Sequence, residues 1–390
     1  MNIRDATKTL EKFQDECIQC RSCLTKCSLL DELGLTPGEI AQRLLEGQLS
    51  GELIAAIQRC DLCGHCALDC LVNLNPSCMF IAAREWLMDH GEITPDLYDV
   101  MLVDQDWNFF TIYRETYKIH YDDLQKDHYD LLFFPGCTLA TYTPELTRLA
   151  YQWLTERGWQ VGFSDMCCGK PLYSIGLIER ERNYLNLLQE QLDKAHVAQV
   201  VTACPNCYHH LKLRFPGIKI FSLYALLQEA GIQVSGHERL TIHDSCPDRF
   251  DGIIGKELRD LLSGHEMVEM PSHGKDTICC GSGGIVSMIE PQICQTRAQR
   301  RMSEFYQSGA NACVTGCMAC AHRLARVSQP HEIVHCLELV FNVRVDYAQI
   351  EANVNAMWEE EQGEINRQRV AQASILPNLK EGQHESTHTR

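Results

Sequence analysis

This 390-residue chain lacks several features that would have decided its class. Its opening stretch, Met1-Asn2-Ile3-Arg4-Asp5, has no apolar core, so no secretory signal is expected. No run of 18 or more apolar residues occurs, which argues against a transmembrane helix. Positive charge is scarce: 35 Lys and Arg stand against 52 Asp and Glu, a formal net charge of −17. Nucleic acid as the main partner would want a basic face, and an anionic membrane surface would repel this chain. A dinucleotide fingerprint is also missing. Gly281-x-Gly283-Gly284 approaches a phosphate-cradling loop but lacks the full G-x-G-x-x-G and its acidic residue. Hydride chemistry therefore falls to a partner protein.

Cysteine, by contrast, is abundant, with 22 residues. In a long chain without a secretory signal, such thiols point to metal or redox chemistry in a reducing, cytoplasmic compartment rather than to disulfides. Two N-terminal groups share one spacing: Cys17-x-x-Cys20-x-x-Cys23-x-x-x-Cys27 and Cys60-x-x-Cys63-x-x-Cys66-x-x-x-Cys70. Three cysteines at three-residue steps bring three thiolates to one cluster face. In two-cluster ferredoxins the fourth ligates the other cluster. On that pattern Cys17, Cys20, Cys23 and Cys70 take one [4Fe–4S] cluster, and Cys60, Cys63, Cys66 and Cys27 take the second. Structural zinc sites, whose ligands come in two pairs, would need different spacing. The residue after each fourth cysteine is Ser28 or Leu71 rather than proline, and 32 residues separate Cys27 from Cys60. The module therefore looks more like the helical ferredoxin modules of multi-subunit reductases than the compact bacterial type.

A second duplication follows. Cys137, Cys167-Cys168-Gly169 and Cys204-x-x-Cys207 recur as Cys246, Cys279-Cys280-Gly281 and Cys317-x-x-Cys320, displaced by about 110 residues at every landmark. Each repeat offers five thiols, one more than a cubane needs. Adjacent cysteines can hardly cap separate corners of one cubane, but they can bridge or share irons in an opened cluster. The glycine after each pair permits positive φ or close backbone approach. Alternating elements surround these residues. Strands are predicted at 129–134, 160–163 and 197–202, then at 240–243, 267–270 and 312–315. Helices are predicted at 144–157, 177–195, 256–262 and 291–308. Ligands collect at the C-terminal ends of parallel strands, which is where these cysteines fall.

Phe133-Phe134-Pro135-Gly136-Cys137, the two Cys-Cys-Gly triplets and the two Cys-x-x-Cys pairs resemble the cysteine-rich (CCG) domain family. That family includes the catalytic component of heterodisulfide reductase. It also includes the iron–sulfur subunits of glycolate oxidase, lactate-utilisation enzymes and anaerobic glycerol-3-phosphate dehydrogenase. A ferredoxin module fused to two such domains resembles the fused D-type component of heterodisulfide reductase. The resemblance implies an α+β chain. Residues 1–90 form a helical [4Fe–4S] ferredoxin domain, 91–129 a linker, and 130–235 and 236–345 two tandem α/β CCG domains with mainly parallel sheets. Residues 346–390 form a terminal helix and a disordered tail. It further implies an oxidoreductase subunit with two cubane clusters, and noncubane [4Fe–4S] clusters in both CCG domains. Its partners would be a flavoprotein or other redox subunits, and its substrate a disulfide or a quinone. A partner could hold it at the inner face of a membrane. The alternative is an electron-transfer subunit of a flavin-linked 2-hydroxyacid or glycerol-3-phosphate dehydrogenase that passes electrons to quinone.

Other residues carry weaker signals. His243-Asp244 could tune or protonate a bound thiolate, and Lys170 could offset cluster charge. His209-His210 are expected at the surface or behind the thiols. Cys78, Cys294, Cys313 and Cys336 are expected as buried small hydrophobes.

Overall fold

Four consecutive apolar residues, Leu131–Phe134, are fully buried and form strand β1. A strand buried on both faces belongs inside a parallel sheet covered by helices. The computed structural model describes residues 5–376 and gives β1 that position. It is hydrogen-bonded to β2 (Val161–Phe163) and β3 (Gln199–Thr202), and β4 (Lys219–Ser222) completes the order β2-β1-β3-β4. All three pairings are parallel. The second repeat builds the same sheet from β5 (Ser235–Ile242), β6 (Gly264–Met267), β7 (Ala312–Thr315) and β8 (Ile333–His335), in the order β6-β5-β7-β8, again wholly parallel. The duplication seen in the cysteine spacing is thus a duplication of topology.

The sequence reading needs correction at the sheet edges. β4 and β8 were not anticipated. β6 lies at Gly264–Met267 rather than 267–270, and none of its residues is buried. β5 begins at Ser235, and its first five residues are exposed. The edge strands β4 and β6 carry little apolar pattern, and interior β5 is buried only over its last three residues, Leu240–Ile242. Helices fared better, because a long apolar stripe marks them. Pro144–Glu156 buries Leu146, Ala150 and Leu154, and Ile178–Ala195 and Pro291–Ser308 fall where predicted.

The N-terminal region is helical. Ala6–Glu16 buries Ala6, Leu10 and Phe13 on one face, against the helices Pro37–Leu45 and Pro76–Asp89. Thr36 starts the second of these with a capping box: Glu39 Oε2 accepts from the Thr36 amide at 2.7 Å, and Thr36 Oγ1 accepts from the Glu39 amide at 3.3 Å. Between the two cysteine motifs lie two helices, Pro37–Leu45 and Gly51–Gln58.

Residues 91–129, rich in aromatics, pack firmly on their neighbours. Tyr98, Ile112 and Tyr113 are buried, and Asp104 holds Arg180 of the first repeat through two oxygens at 2.6 and 2.8 Å. Two helices, Tyr347–Ala356 and Glu360–Gln372, replace the single terminal helix that was expected. They lie on the linker: Met357 is buried against Ile112 and Tyr113, and Tyr117 Oη donates to the Asn353 carbonyl at 2.6 Å. The expected disordered tail from Asn378 lies outside the described residues.

Tyr224 joins the two repeats. Its buried hydroxyl lies 3.1 Å from the Ala203 carbonyl and 2.9 Å from the Gly316 carbonyl. Each carbonyl immediately precedes a Cys-x-x-Cys pair, so one side chain fixes the two loops relative to each other.

Candidate metal centres

The eight N-terminal thiols sort into two cavities. Cys17, Cys20, Cys23 and Cys70 line one, with Phe13, Ile18 and Pro37. Cys27, Cys60, Cys63 and Cys66 line the other, with Cys279 of the second repeat. The fourth cysteine of each motif thus sits with the first three of its twin. Both loops reach this shape through the same backbone device. Gln19 and Arg21 in one, and Leu62 and Gly64 in the other, have φ between 52° and 74°. A leucine held there is strained, and such strain persists only where the surroundings impose it. Backbone amides turn toward sulfur as a result: Leu62 N donates to Cys60 Sγ at 3.4 Å, and Leu74 N to Cys70 Sγ at 3.2 Å. Burial pushes the Cys23 thiol up to about 11 and the Cys60 thiol up to about 12. A bound cation would reverse this, because the thiolate is the ligand.

Three arginines fasten the second ferredoxin loop to the CCG repeats. Fully buried Arg84 donates to five carbonyls: Ile57, Gln58 and Cys60 of the ferredoxin region, Ser174 of the first repeat and Gly284 of the second, at 2.6–3.1 Å. Two of these are carbonyls at the end of the helix Gly51–Gln58, where a cation is favoured. Arg249 donates to the carbonyls of Cys63, Lys275 and Thr277. Arg297 binds Asp61 Oδ1 at 2.7 Å and the Arg59 carbonyl at 3.0 Å. The glycines after the second triplet serve this contact. A Cβ on Gly283 would overlap the Asp61 carbonyl, and one on Gly284 the Cys60 carbonyl. They admit the ferredoxin backbone and cradle no phosphate.

The ten CCG thiols form one unbroken line of side-chain contacts. It runs Cys137–Cys167–Cys168–Cys207–Cys204, crosses to Cys317, and continues Cys320–Cys280–Cys279–Cys246. The Cys280 and Cys320 sulfurs are 3.1 Å apart. The order of one half mirrors the other about the Cys204–Cys317 contact. The cause is local. β1, β3, β5 and β7 end just before Cys137, Cys204, Cys246 and Cys317, and each Cys-x-x-Cys pair opens a helix. Thr202 Oγ1 accepts from the Cys204 amide at 3.3 Å, and Thr315 Oγ1 does the same for Cys317 at 3.3 Å. Gly136, at φ 96°, leaves room for Cys204 and Cys207. Contacts with Cys167 and Cys207 hold Cys168 well below the usual thiol range, and contacts with Cys279 and Cys320 do the same for Cys280. Cys207 and Cys317 likewise lower Cys204, to about 5. The second set also touches the ferredoxin loop, through a side-chain hydrogen bond between Cys279 and Asp61.

These features fit iron–sulfur clusters. Sets of four and five thiols converge, amides face sulfur, and the Arg84 guanidinium lies beside Cys60. The cysteine-rich domain model matches residues 131–212 and 240–325, and a 4Fe-4S dicluster domain model matches residues 13–74. The chain thus carries two cysteine-rich domains behind a 4Fe-4S dicluster domain. Over 354 residues it is 24% identical to one component of the fumarate reductase (CoM/CoB) of Methanothermobacter marburgensis, covering 80% of this chain and 68% of the relative. Over 374 residues it is 23% identical to one component of the dihydromethanophenazine:CoB–CoM heterodisulfide reductase of Methanosarcina barkeri, covering 82% of this chain and 91% of that one. Lactate utilization protein A 1 of Bacillus mycoides is 23% identical over 234 residues, covering 53% of this chain and 94% of its own.

The remaining sequence candidates fall into place around the two cysteine-rich domains. Lys170 lies near both sets: burial lowers its pKa, while Cys168 and Cys246 pull it up. His210 is buried against Glu181 at 2.8 Å rather than exposed, and half-buried His209 reaches across to Asp248 at 2.8 Å. Asp244 is bound by Arg259 at 2.7 and 2.9 Å. Cys294, Cys313 and Cys336 are buried as expected, whereas Cys78 is half-buried. Arg84, Arg249, Arg297 and Arg301 were missed. A lone arginine has no spacing to mark it, and its partners are distant in sequence.

Among the described residues no helix is long and apolar enough to cross a membrane.

Proposed function

We propose that this chain is the iron–sulfur component of a multi-subunit oxidoreductase that makes or breaks a disulfide at its paired cysteine-rich domains. Cys17, Cys20, Cys23 and Cys70 would hold one [4Fe–4S] cluster, and Cys60, Cys63, Cys66 and Cys27 a second. The sets Cys137, Cys167, Cys168, Cys204, Cys207 and Cys246, Cys279, Cys280, Cys317, Cys320 would each hold a noncubane cluster. When bound, these groups supply one-electron transfer at four neighbouring points. The observation that carries the reading is the unbroken line of ten thiols in which both sets are complete. A site for electron transfer alone has no need of a fifth thiol in each set.

The protein's own residues do the rest. Exposed Cys20, with exposed Ile18 and Leu71 beside it, presents the first ferredoxin cavity to an electron-donating partner such as a flavoprotein. Arg84, Arg249 and Arg297 hold the second ferredoxin cavity against Cys279. Tyr224 holds the two sets in contact. Half-buried Cys137 opens into a cleft lined by Asn108, Arg114, Asp165 and Tyr184, which gives a substrate a route to the first set. Reducing a disulfide there consumes two electrons from the partner and two protons from solvent, and releases two thiols. The nearly full-length coverage of the heterodisulfide reductase relative supports this assignment.

The lactate-utilisation relative favours a second reading, in which the chain only passes electrons from a flavin-linked dehydrogenase to quinone. Spectroscopy separates the two. On the disulfide reading, adding a small thiol to the anaerobically oxidised complex produces a new paramagnetic signal that Cys168→Ser or Cys280→Ser removes. An unchanged spectrum after thiol addition sinks that reading and leaves the second.

A further inference from the structure

The two repeats are not chemically equal. Three residues before the first cysteine of each set stand Phe134 and His243, both buried. At the same position of the matching 18-residue helices stand Leu188 and Arg301, also buried. The first repeat is thus apolar where the second carries a histidine and an arginine in contact. Arg301 Nε donates to His243 Nδ1 at 3.0 Å, and its Nη1 donates to the Ser272 carbonyl and to Glu304 Oε2, both at 2.6 Å. Ser272 Oγ in turn donates to Glu304 Oε1 at 2.6 Å.

This network fixes the histidine tautomer. A guanidinium only donates, so Nδ1 is an acceptor and the neutral ring carries its proton on Nε2. Nε2 is buried and has no nitrogen or oxygen partner among the described residues, while the His243 ring meets the Cys280 thiol. A buried donor left without an acceptor is costly, so the N–H calls for one. The groups within reach of the ring are sulfurs: a ring nitrogen of His243, Cys280 Sγ and Cys320 Sγ all lie within 4.8 Å of one another. The triad could be taken for three metal ligands. A ligating histidine, however, donates its other N–H to an oxygen acceptor, whereas here the other nitrogen accepts from an arginine. That arrangement suits a donor and not a ligand.

We propose that His243 is an N–H donor to the sulfur atoms of the cluster site in the second repeat, oriented by Arg301 and Glu304, and that it raises the reduction potential of this site. Hydrogen bonds to cluster sulfur stabilise the reduced form. The proposal rests on the reading that both repeats hold clusters. Its consequence is local: the second site holds an electron more firmly with His243 in place than it would with the phenylalanine that stands at the matching position of the first repeat, Phe134.

The test compares the anaerobically purified complex with His243→Phe and His243→Gln, measuring iron content and spectroscopic redox titrations of each. The expected result is an unchanged iron content, with one transition moved to lower potential in His243→Phe. In His243→Gln, whose amide can still donate, that transition falls between the two. Loss of about four irons in both variants would make His243 a ligand, and unchanged potentials in both would remove its role, so either result overturns the proposal. A wild-type iron content that accounts for the ferredoxin pair alone overturns the underlying reading, and this proposal with it.

Discussion

Arg84→Met is expected to destabilise the folded chain by about 4 kcal/mol, because it strands five buried carbonyls in place of a satisfied guanidinium. Those carbonyls belong to three different parts of the chain, so the loss falls on the assembly of the ferredoxin region with both repeats. Limited proteolysis should then cut between residues 90 and 130, where wild type resists, and the thermal unfolding midpoint should drop by many degrees. Arg84→Lys retains the charge but not the planar fork, and an ammonium reaches fewer of the five acceptors. It should lie between wild type and Arg84→Met. Equal stability of all three would mean that this arginine does not join the regions.

Paired serine substitutions give the second large effect, because they read the crossed arrangement of the N-terminal thiols. Cys17→Ser with Cys70→Ser removes two thiols from one cavity, and should cost about four irons per chain. Cys17→Ser with Cys27→Ser takes one thiol from each cavity, and should cost about eight. If each motif bound its own cluster, the two outcomes would be exchanged. Cys313→Ala serves as a control: its thiol lies buried within β7, so iron should be retained while stability falls modestly.

Much of this arrangement was legible in the residue order alone. Ligand spacing is local, so Cys17 to Cys70 could be paired across motifs from their intervals, and the cavities divide them the same way. The buried run Leu131–Phe134 marked a central strand that ends at a cysteine, and the matching offsets marked its twin. What stayed hidden was either weakly patterned or distant. β6 reads Gly-His-Glu-Met, and β4 begins with an exposed lysine; as edge strands they need no apolar alternation. The Arg84 contacts span up to 200 residues, and no periodicity encodes such a pairing. Gly283 and Gly284 stood out as part of an incomplete phosphate-cradling loop, but the group they admit is the backbone of Cys60 and Asp61. His243 stood out in the sequence for its position before Cys246; the arginine that fixes its tautomer was visible only in the fold.

The central claim is that both five-cysteine sets hold clusters beside the ferredoxin pair. Counting iron and acid-labile sulfide per chain in anaerobically purified complex tests it most directly. Four occupied sites predict about 16 irons with a matching complement of sulfide. A count of about 8, with all of it lost when the ferredoxin cysteines are replaced, would contradict the account.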